Sequence, residues 1–396
     1  MASDPVSPLD GVRIVDLTQV MAGPFCTMLL ADLGADVIKV EPPGGDLSRS
    51  MGGERLRLKG TDHAPFLALN RNKRSVVLDL KQSLDRDRLL DLVRTADIFV
   101  ESFRPGVTQR LGLGYDTLER LNPRLVYASI SGFGQTGPWA DRPGFDLIAQ
   151  GMSGVMSVTG KAGDHPVKSG IPISDLSAGL YAANGIQAAL LARVRSGRGQ
   201  RVETSLFESA LGLSVWEATE FWATGEAPQA LGSAHRLSAP YQAFLARDGY
   251  LTIAALTPQQ WEKLCGVLDR ADLPGDPRFH ANSDRLANRD ALVVEIEQSL
   301  GTKPVSEWVS RLLAEGVPCG PILDYPAVFA SEHTAARDMI LTADHPVEGP
   351  VPTLGVPVKL SASPARVRRP PPLLGEHTGA VLAAIASHSS PWESSS

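Results

Sequence analysis

The chain has 396 residues, 43% of them hydrophobic and 21% charged, with a formal net charge of −6 and a pI near 5.8. That is the balance of a globular protein long enough for two domains, and it argues against a surface built to coat nucleic acid. Three cysteines, Cys26, Cys265 and Cys319, stand far apart without CxxC spacing, and no HExxH or carboxylate cluster occurs, so neither a disulfide framework nor a metal site is expected.

In chain order, Val12–Leu17 predicts a strand, and Gly23-Pro24 opens a helix through Leu33 that Gly34 stops. Asp36–Glu41 predicts the next strand, ended by Pro42-Pro43-Gly44-Gly45. Ser75–Leu80 and Asp97–Val100 predict strands flanking a charged helix from Leu84 to Thr95, and Leu125–Ile130 predicts another strand. A helix follows Asp175 to about Val194, then a strand Gln200–Ser205 and a helix carrying Trp216 and Trp222. This alternation predicts an α/β fold with a parallel, doubly wound sheet, whose ligands bind at the carboxyl ends of the strands. Around Gly225 the pattern changes to a short strand pair, Gln242–Phe244 and Leu251–Ala255, with helices near 258–268, 288–300 and 304–315, before the turn-rich Gly316–Pro321. The expected division is a large domain over 1–205, a linker helix over 206–225, a smaller α+β domain over 226–330 and a C-terminal segment over 331–396, disordered from Ser387 on. The N-terminus, Met1–Pro5, lacks a basic region followed by an apolar one, and no run of about 18 apolar residues occurs, so a cytoplasmic setting without membrane contact is expected.

Asp175 is the most informative residue. It stands where Gly170-Ile171-Pro172-Ile173 meets small residues and a long helical pattern. Free N–H groups and the helix dipole are expected to keep its carboxylate ionised there, and a shielded carboxylate can attack an activated acyl carbon. An Asp at such a position more commonly serves as a simple N-cap. The first βα turn, Gln19–Pro24, is not GxGxxG, which argues against a dinucleotide oxidoreductase, though the helix start could receive phosphate. Arg71, Lys73 and Arg74 precede one strand and Lys81 follows it; Phe103, Arg104 and Arg110 follow another. Cations and an aromatic ring in those places suit a nucleotide with several phosphates, as they would a solvated surface. The loop Gly132–Pro138 could offer N–H groups to an oxyanion. His235, in Gly232-Ser233-Ala234-His235-Arg236, has the setting of a carboxylate-binding turn.

Taken together, the segments resemble the class III coenzyme A transferases, the superfamily of formyl-CoA transferase, carnitine-CoA transferase and methylacyl-CoA racemase. The resemblance is carried by Leu9–Asp16, Ala22-Gly23-Pro24, Leu33–Glu41, Asn72-Lys73-Arg74-Ser75, Phe103-Arg104-Pro105-Gly106, Leu121-Asn122-Pro123-Arg124, Ile171-Pro172 with Asp175 and Gly179, Gly197-Arg198-Gly199-Gln200, and Leu374-Gly375-Glu376-His377-Thr378. It implies a Rossmann-like large domain, a small domain, a C-terminal segment returning to the large one, and two chains interlocked as a homodimer. Asp175 matches the family's catalytic aspartate, and Met21, Leu78, Lys81, Phe103 and Arg110 match positions lining the coenzyme A site, to which Arg104 adds a cation. The coenzyme A thioester is then a substrate, and no permanently bound cofactor or metal is expected.

Two departures narrow the expectation. Racemases of the superfamily have Gly-His-Asp where this chain has Gly144-Phe145-Asp146, and a phenyl ring cannot exchange a proton. The glycine run of the formyl-CoA transferase branch is absent, which speaks against oxalate; the loop with His235 and Arg236, together with Arg369–Gly375, is similar to the succinyl-CoA:glutarate-type branch. The expected reaction moves CoA from a donor such as succinyl-CoA to a small mono- or dicarboxylic acid through a mixed anhydride and an aspartyl-CoA thioester on Asp175. His235 and Arg236 would hold a distal carboxylate, with Phe145 beside the substrate. The competing readings are a CoA-thioester racemase and a CoA-binding protein without chemistry.

Overall fold

The structure is a computed structural model describing residues 6–60 and 62–392, so the reading of Met1–Pro5 falls outside the described residues. The chain forms two compact units. One comprises the chain to Val155, Lys168–Ala223 and everything from Glu332 on; the other comprises Met156–Val167 and Thr224–Ser331.

The first unit is built on a six-stranded, all-parallel sheet in the order β3-β2-β1-β4-β5-β6. Its strands are β1 (Arg13–Asp16), β2 (Asp36–Glu41), β3 (Lys73–Val77), β4 (Ile98–Glu101), β5 (Val126–Ser131) and β6 (Arg201–Ser205). The strand order reverses between β1 and β4, and that switch point is where such sheets bind ligands. Both faces are buried, as parallel sheets require. Ile14, Val37, Ile98 and Val126 pack under Cys26, Leu30, Ala178 and Ile186 on one side. Their neighbours Val15, Ile38, Phe99 and Tyr127 pack under Leu89, Leu92 and Val93 on the other, so the two-residue period of each strand feeds two separate cores.

On the first side lie the helix Ala22–Asp32 and the long helix Ile173–Ser196. They meet at Gly179, where a Cβ would stand 2.7 Å from the Ala22 carbonyl oxygen and 2.9 Å from the Phe25 ring. Absence of a side chain there sets how closely the two helix starts approach.

β3 begins two residues earlier than the sequence pattern suggests, because its cations are paired inside the protein. Lys73 bonds Asp16 at 3.1 Å with both side chains fully buried, Arg74 bonds Asp36 at 2.6 Å, and the adjacent Arg71 grips Asp32 at 2.7 Å. These charges hold strands and the first helix together and are not a phosphate-binding surface.

The C-terminal segment is bolted to the same edge. Asn72 accepts from the Arg368 and Arg369 N–H groups, Ser75 accepts from the Gly375 N–H, and Thr378 accepts from the Val77 N–H. The Leu374–Thr378 motif therefore covers an edge strand that would otherwise be open. A final helix, Thr378–Ala386, follows. The expectation of disorder from Ser387 is overturned at Trp392, which is only 5% exposed and donates its indole N–H to Thr95 at 2.8 Å, while the Pro391 carbonyl accepts from Arg74. An aromatic ring with a pocket and a hydrogen-bond partner outweighs the serine-rich composition around it. Residues 393–396 lie outside the described residues. A hairpin, β10 (Ile340–His345) with β11 (Gly349–Leu354), also appears where no strand pattern was evident.

The second unit packs a three-stranded antiparallel sheet, β7 (Tyr241–Ala246), β8 (Gly249–Ala254) and β9 (Cys319–Pro321), on the helices Pro258–Val267, Arg289–Leu300 and Val305–Ala314. Trp261, Phe279, Ile296 and Trp308 form its core. β9 lies within the segment whose composition reads as turns, because Gly320 and Pro321 sit on an edge strand.

Candidate active site

A cavity of about 380 Å³ opens in the first unit at the sheet's switch point. Residues just beyond β1 (Leu17, Gln19–Met21), beyond β4 (Ser102–Pro105) and at the end of β5 (Ile130–Gly132) line it, with Arg142–Phe145 and Asp175. Gly132 and Gly144 let the β5 loop and the Phe145 segment cross in contact, since a Cβ on either glycine would stand under 3 Å from the other's Cα.

Asp175 is the third residue of the helix Ile173–Ser196, whose N-cap position is held by Pro172. It is not the cap. That role falls to Asp146, which accepts from the Ser174 N–H at 2.9 Å and reaches the Asp175 N–H at 3.4 Å. The Asp175 carboxylate consequently has no hydrogen-bond partner among the described residues. Burial, with the like charge of Asp146 adding to it, pushes its pKa from 3.8 up to about 7. The expectation of a fully ionised Asp175 is thus corrected: the helix N–H groups that would have stabilised the anion are already occupied.

The βα turn across the cavity is held under strain. Val20 has φ +69°, a left-handed conformation that is unfavourable for a β-branched residue. Asp46 keeps it there by accepting the Val20 N–H at 3.1 Å. Asp46 pairs in turn with the fully buried Lys39, 2.8 Å away, and Lys39 also donates to the Thr18 carbonyl. Beneath the turn, Asp16 accepts from Thr18, Thr27 and Lys73. Burial alone would raise the Asp16 pKa, but the charges of Lys73 and Lys39 and the two hydroxyls outweigh it and hold it at about 2.

Of the residues singled out from sequence, Met21, Phe103, Arg104, Phe145 and Asp175 meet at this cavity. Leu78 does not: it is 1% exposed, in the core. Lys81 and Arg110 are exposed and outside the cavity lining. In the glycine loop, Gly134 and Gln135 give their N–H groups to Ser131 Oγ and Glu203, so neither is available to an oxyanion. His235 and Arg236 belong to the other unit. There the His235 ring stacks on Tyr241 at 4.7 Å and accepts the Leu237 N–H, while Arg236 donates to the Gln229 carbonyl. Asp146, Gln19 and Arg142 were not singled out as site residues. Asp146 carried one usable signal, an acid opening a short helix, whereas the other two reach the cavity only through loop conformation. Among the described residues no group of His, Cys, Asp and Glu could hold a metal, and no helix is long and apolar enough to cross a membrane.

Known proteins share this architecture. The chain is 42% identical to the acetyl-CoA:oxalate CoA-transferase of Acetobacter aceti, over 96% of this chain and 95% of that one. It is 38% identical to the mouse succinyl-CoA:glutarate CoA-transferase, over 96% of this chain and 86% of that one. A CAIB/BAIF family protein from Brucella suis superposes with a TM-score of 0.86 at 38% identity, covering 96% of this chain and 99% of its own. Relatives named for oxalate and for glutarate both lie this near, so identity does not rank the two acids. The sequence model of CoA-transferase family III matches residues 9–378. Fold, cavity and sequence agree: the chain belongs to CoA-transferase family III and is an acyl-CoA:carboxylate CoA-transferase.

Proposed function

We propose that the protein transfers CoA from a short acyl-CoA, succinyl-CoA in the first instance, to a small dicarboxylic acid, with Asp175 as the covalent nucleophile. The observation that carries this reading is the unbonded, basic carboxylate of Asp175 facing a cavity at the sheet's switch point. An Asp175 oxygen attacks the thioester carbonyl; the C–S bond breaks and the thiolate of CoA leaves with the electron pair, giving a mixed anhydride. The thiolate attacks the aspartyl carbonyl and expels the donor acid, leaving an aspartyl-CoA thioester. The acceptor carboxylate attacks that thioester, forming a second anhydride, and the thiolate then takes the acceptor acyl group and frees Asp175. Each step exchanges one anion for another and one activated acyl bond for another, so no proton need be transferred. That fits a cavity whose lining, among the described residues, includes Arg104, Arg142 and Asp175 but no histidine.

Phe145, at the position where racemases of the superfamily have histidine, supports transfer over racemisation. The relatives' names support a carboxylic-acid acceptor without choosing one. The active form is proposed to be an interlocked homodimer; Leu191, Val194 and Trp222, between 64% and 81% exposed in the single chain, supply apolar surface for it.

The test is one reaction in deuterated buffer. Purified protein, succinyl-CoA and a pool of mono- and dicarboxylic acids are read by mass spectrometry of the CoA esters. New esters without deuterium are expected, and Asp175→Ala should form none. Turnover by that variant would overturn the mechanism, and deuterium on the α-carbon of an added 2-methylacyl-CoA would overturn the transferase assignment of this site.

A further inference from the structure

Resting on that reading of Asp175, we infer that Asp146, braced by Gln150, is a positioning residue that keeps the nucleophile unbonded. The helix Asp146–Met152 begins with Asp146, and one turn on comes Gln150, which is fully buried. Gln150 Nε2 donates to Asp146 Oδ2 at 2.7 Å, and Gln150 Oε1 accepts the Ser169 N–H at 2.9 Å. The other Asp146 oxygen faces the start of the long helix and takes the Ser174 and Asp175 N–H groups. The brace thus links the segment before the nucleophile (Ser169), the loop that carries Phe145, and the first turn that carries Asp175.

An Asp three residues into a helix ordinarily profits from the first-turn N–H groups and from the dipole. Here a second carboxylate has taken that place. Two effects follow. The Asp175 oxygens keep their lone pairs for the thioester carbonyl, and the helix's first turn is anchored from outside, so its orientation does not depend on the carboxylate that must react. The elements packed on this helix carry Cys26, Asp32, Tyr127, Arg201, Glu203 and Glu208, yet among the described residues Asp146 is the one charge that bears on Asp175 ionisation.

Three variants test this beside wild type, with Tm and circular dichroism as folding controls: Asp146→Asn, which removes the charge and keeps one acceptor, toward the Ser174 N–H, but turns its NH2 toward Gln150 Nε2; Asp146→Ala, which removes both acceptors and the charge; and Gln150→Leu, which frees the brace. Rates are read as kcat and KM for acyl-CoA across pH. Asp146→Asn should move the acidic limb of the kcat profile to lower pH, while kcat at high pH falls no further than in Gln150→Leu. Asp146→Ala and Gln150→Leu should lose roughly ten- to a hundred-fold in kcat with KM within about threefold, the mark of a misplaced nucleophile rather than lost binding. An unmoved limb in Asp146→Asn together with wild-type kcat in Gln150→Leu overturns the inference, as does a loss confined to KM. If Asp146→Ala does not fold, the other two variants decide. An active Asp175→Ala control strikes the covalent mechanism instead; an inactive one beside wild-type-like Asp146 and Gln150 variants strikes this inference alone.

Discussion

Replacing Asp175 by Asn should stabilise the protein while abolishing turnover, and the gain should depend on pH. The carboxyl titrates near 7 in the folded chain against an ordinary 3.8. A raised folded value stabilises the fold below the unfolded value, and that contribution is lost as pH rises toward and through the folded value. At about 1.4 kcal/mol per pH unit, the interval is worth ~4 kcal/mol. Asp175 keeps part of its surface in water, so roughly half of that is a fair expectation. Between about pH 5 and pH 8 the wild type should lose roughly 1–3 kcal/mol that Asn, which does not titrate, retains. Groups remote from Asp175 titrate alike in both proteins and cancel from the difference. The assay is thermal unfolding of both at the two pH values. For a chain of this length the Tm advantage of Asp175→Asn should widen by about 1–4 °C from pH 5 to pH 8. A gap independent of pH, or one that narrows as pH rises, would refute the argument that burial and Asp146 hold Asp175 out of the usual carboxylate range.

Further outcomes follow from named contacts. Wild-type turnover should rise with pH through about 7 as Asp175 ionises, checked by a pH profile of single-turnover CoA release; a flat profile from pH 5 to 8 would contradict it. Lys73→Met leaves Asp16 buried with only Lys39 opposite it and should cost roughly 3–5 kcal/mol, read as a large fall in Tm. Gly179→Val drives side-chain atoms into the Ala22 carbonyl and the Phe25 ring, so the two helix starts must separate; kcat should fall at least tenfold even where the variant folds, and an unchanged kcat would show that helix spacing does not position Asp175. Truncation after Ser389 removes Trp392 from its pocket and should cost about 3–5 kcal/mol, whereas an unchanged Tm would restore the expectation of a disordered tail.

Much of the sheet was legible because its signals are local. The central strands are short apolar runs, two of them, β2 and β5, ended directly by Pro42 and Gly132, and Asp175 stands where such a run meets a helix. What escaped depends on partners distant in sequence. Arg71, Lys73 and Arg74 read as a solvent-facing or phosphate-binding cluster because nothing beside them in the chain reveals Asp32, Asp16 and Asp36, their buried counter-ions. Trp392 read as part of a polar tail because its pocket is made by Thr95 and β3 neighbours some three hundred residues earlier. Asp146 read merely as the residue after Phe145, since its role is defined by N–H groups of another helix.

That last case bears on how a carboxylate can be both nucleophile and leaving group. A strongly stabilised anion leaves easily and attacks poorly, and an unstabilised one does the reverse; the reaction proposed above needs both within one turnover. A pKa near 7 lies between the two limits. Capping by Asp175's own oxygens would have moved it toward the poor nucleophile, because charge-assisted bonds from backbone N–H groups can hold a carboxylate well below its ordinary range. Giving the cap to Asp146 separates the two requirements. The helix is terminated by one acid, and the basicity of the other is set by burial and by the charge of the first. On this view the tuning lies in the spacing between two helix starts, Asp146 and Ile173, more than in any group that touches the substrate.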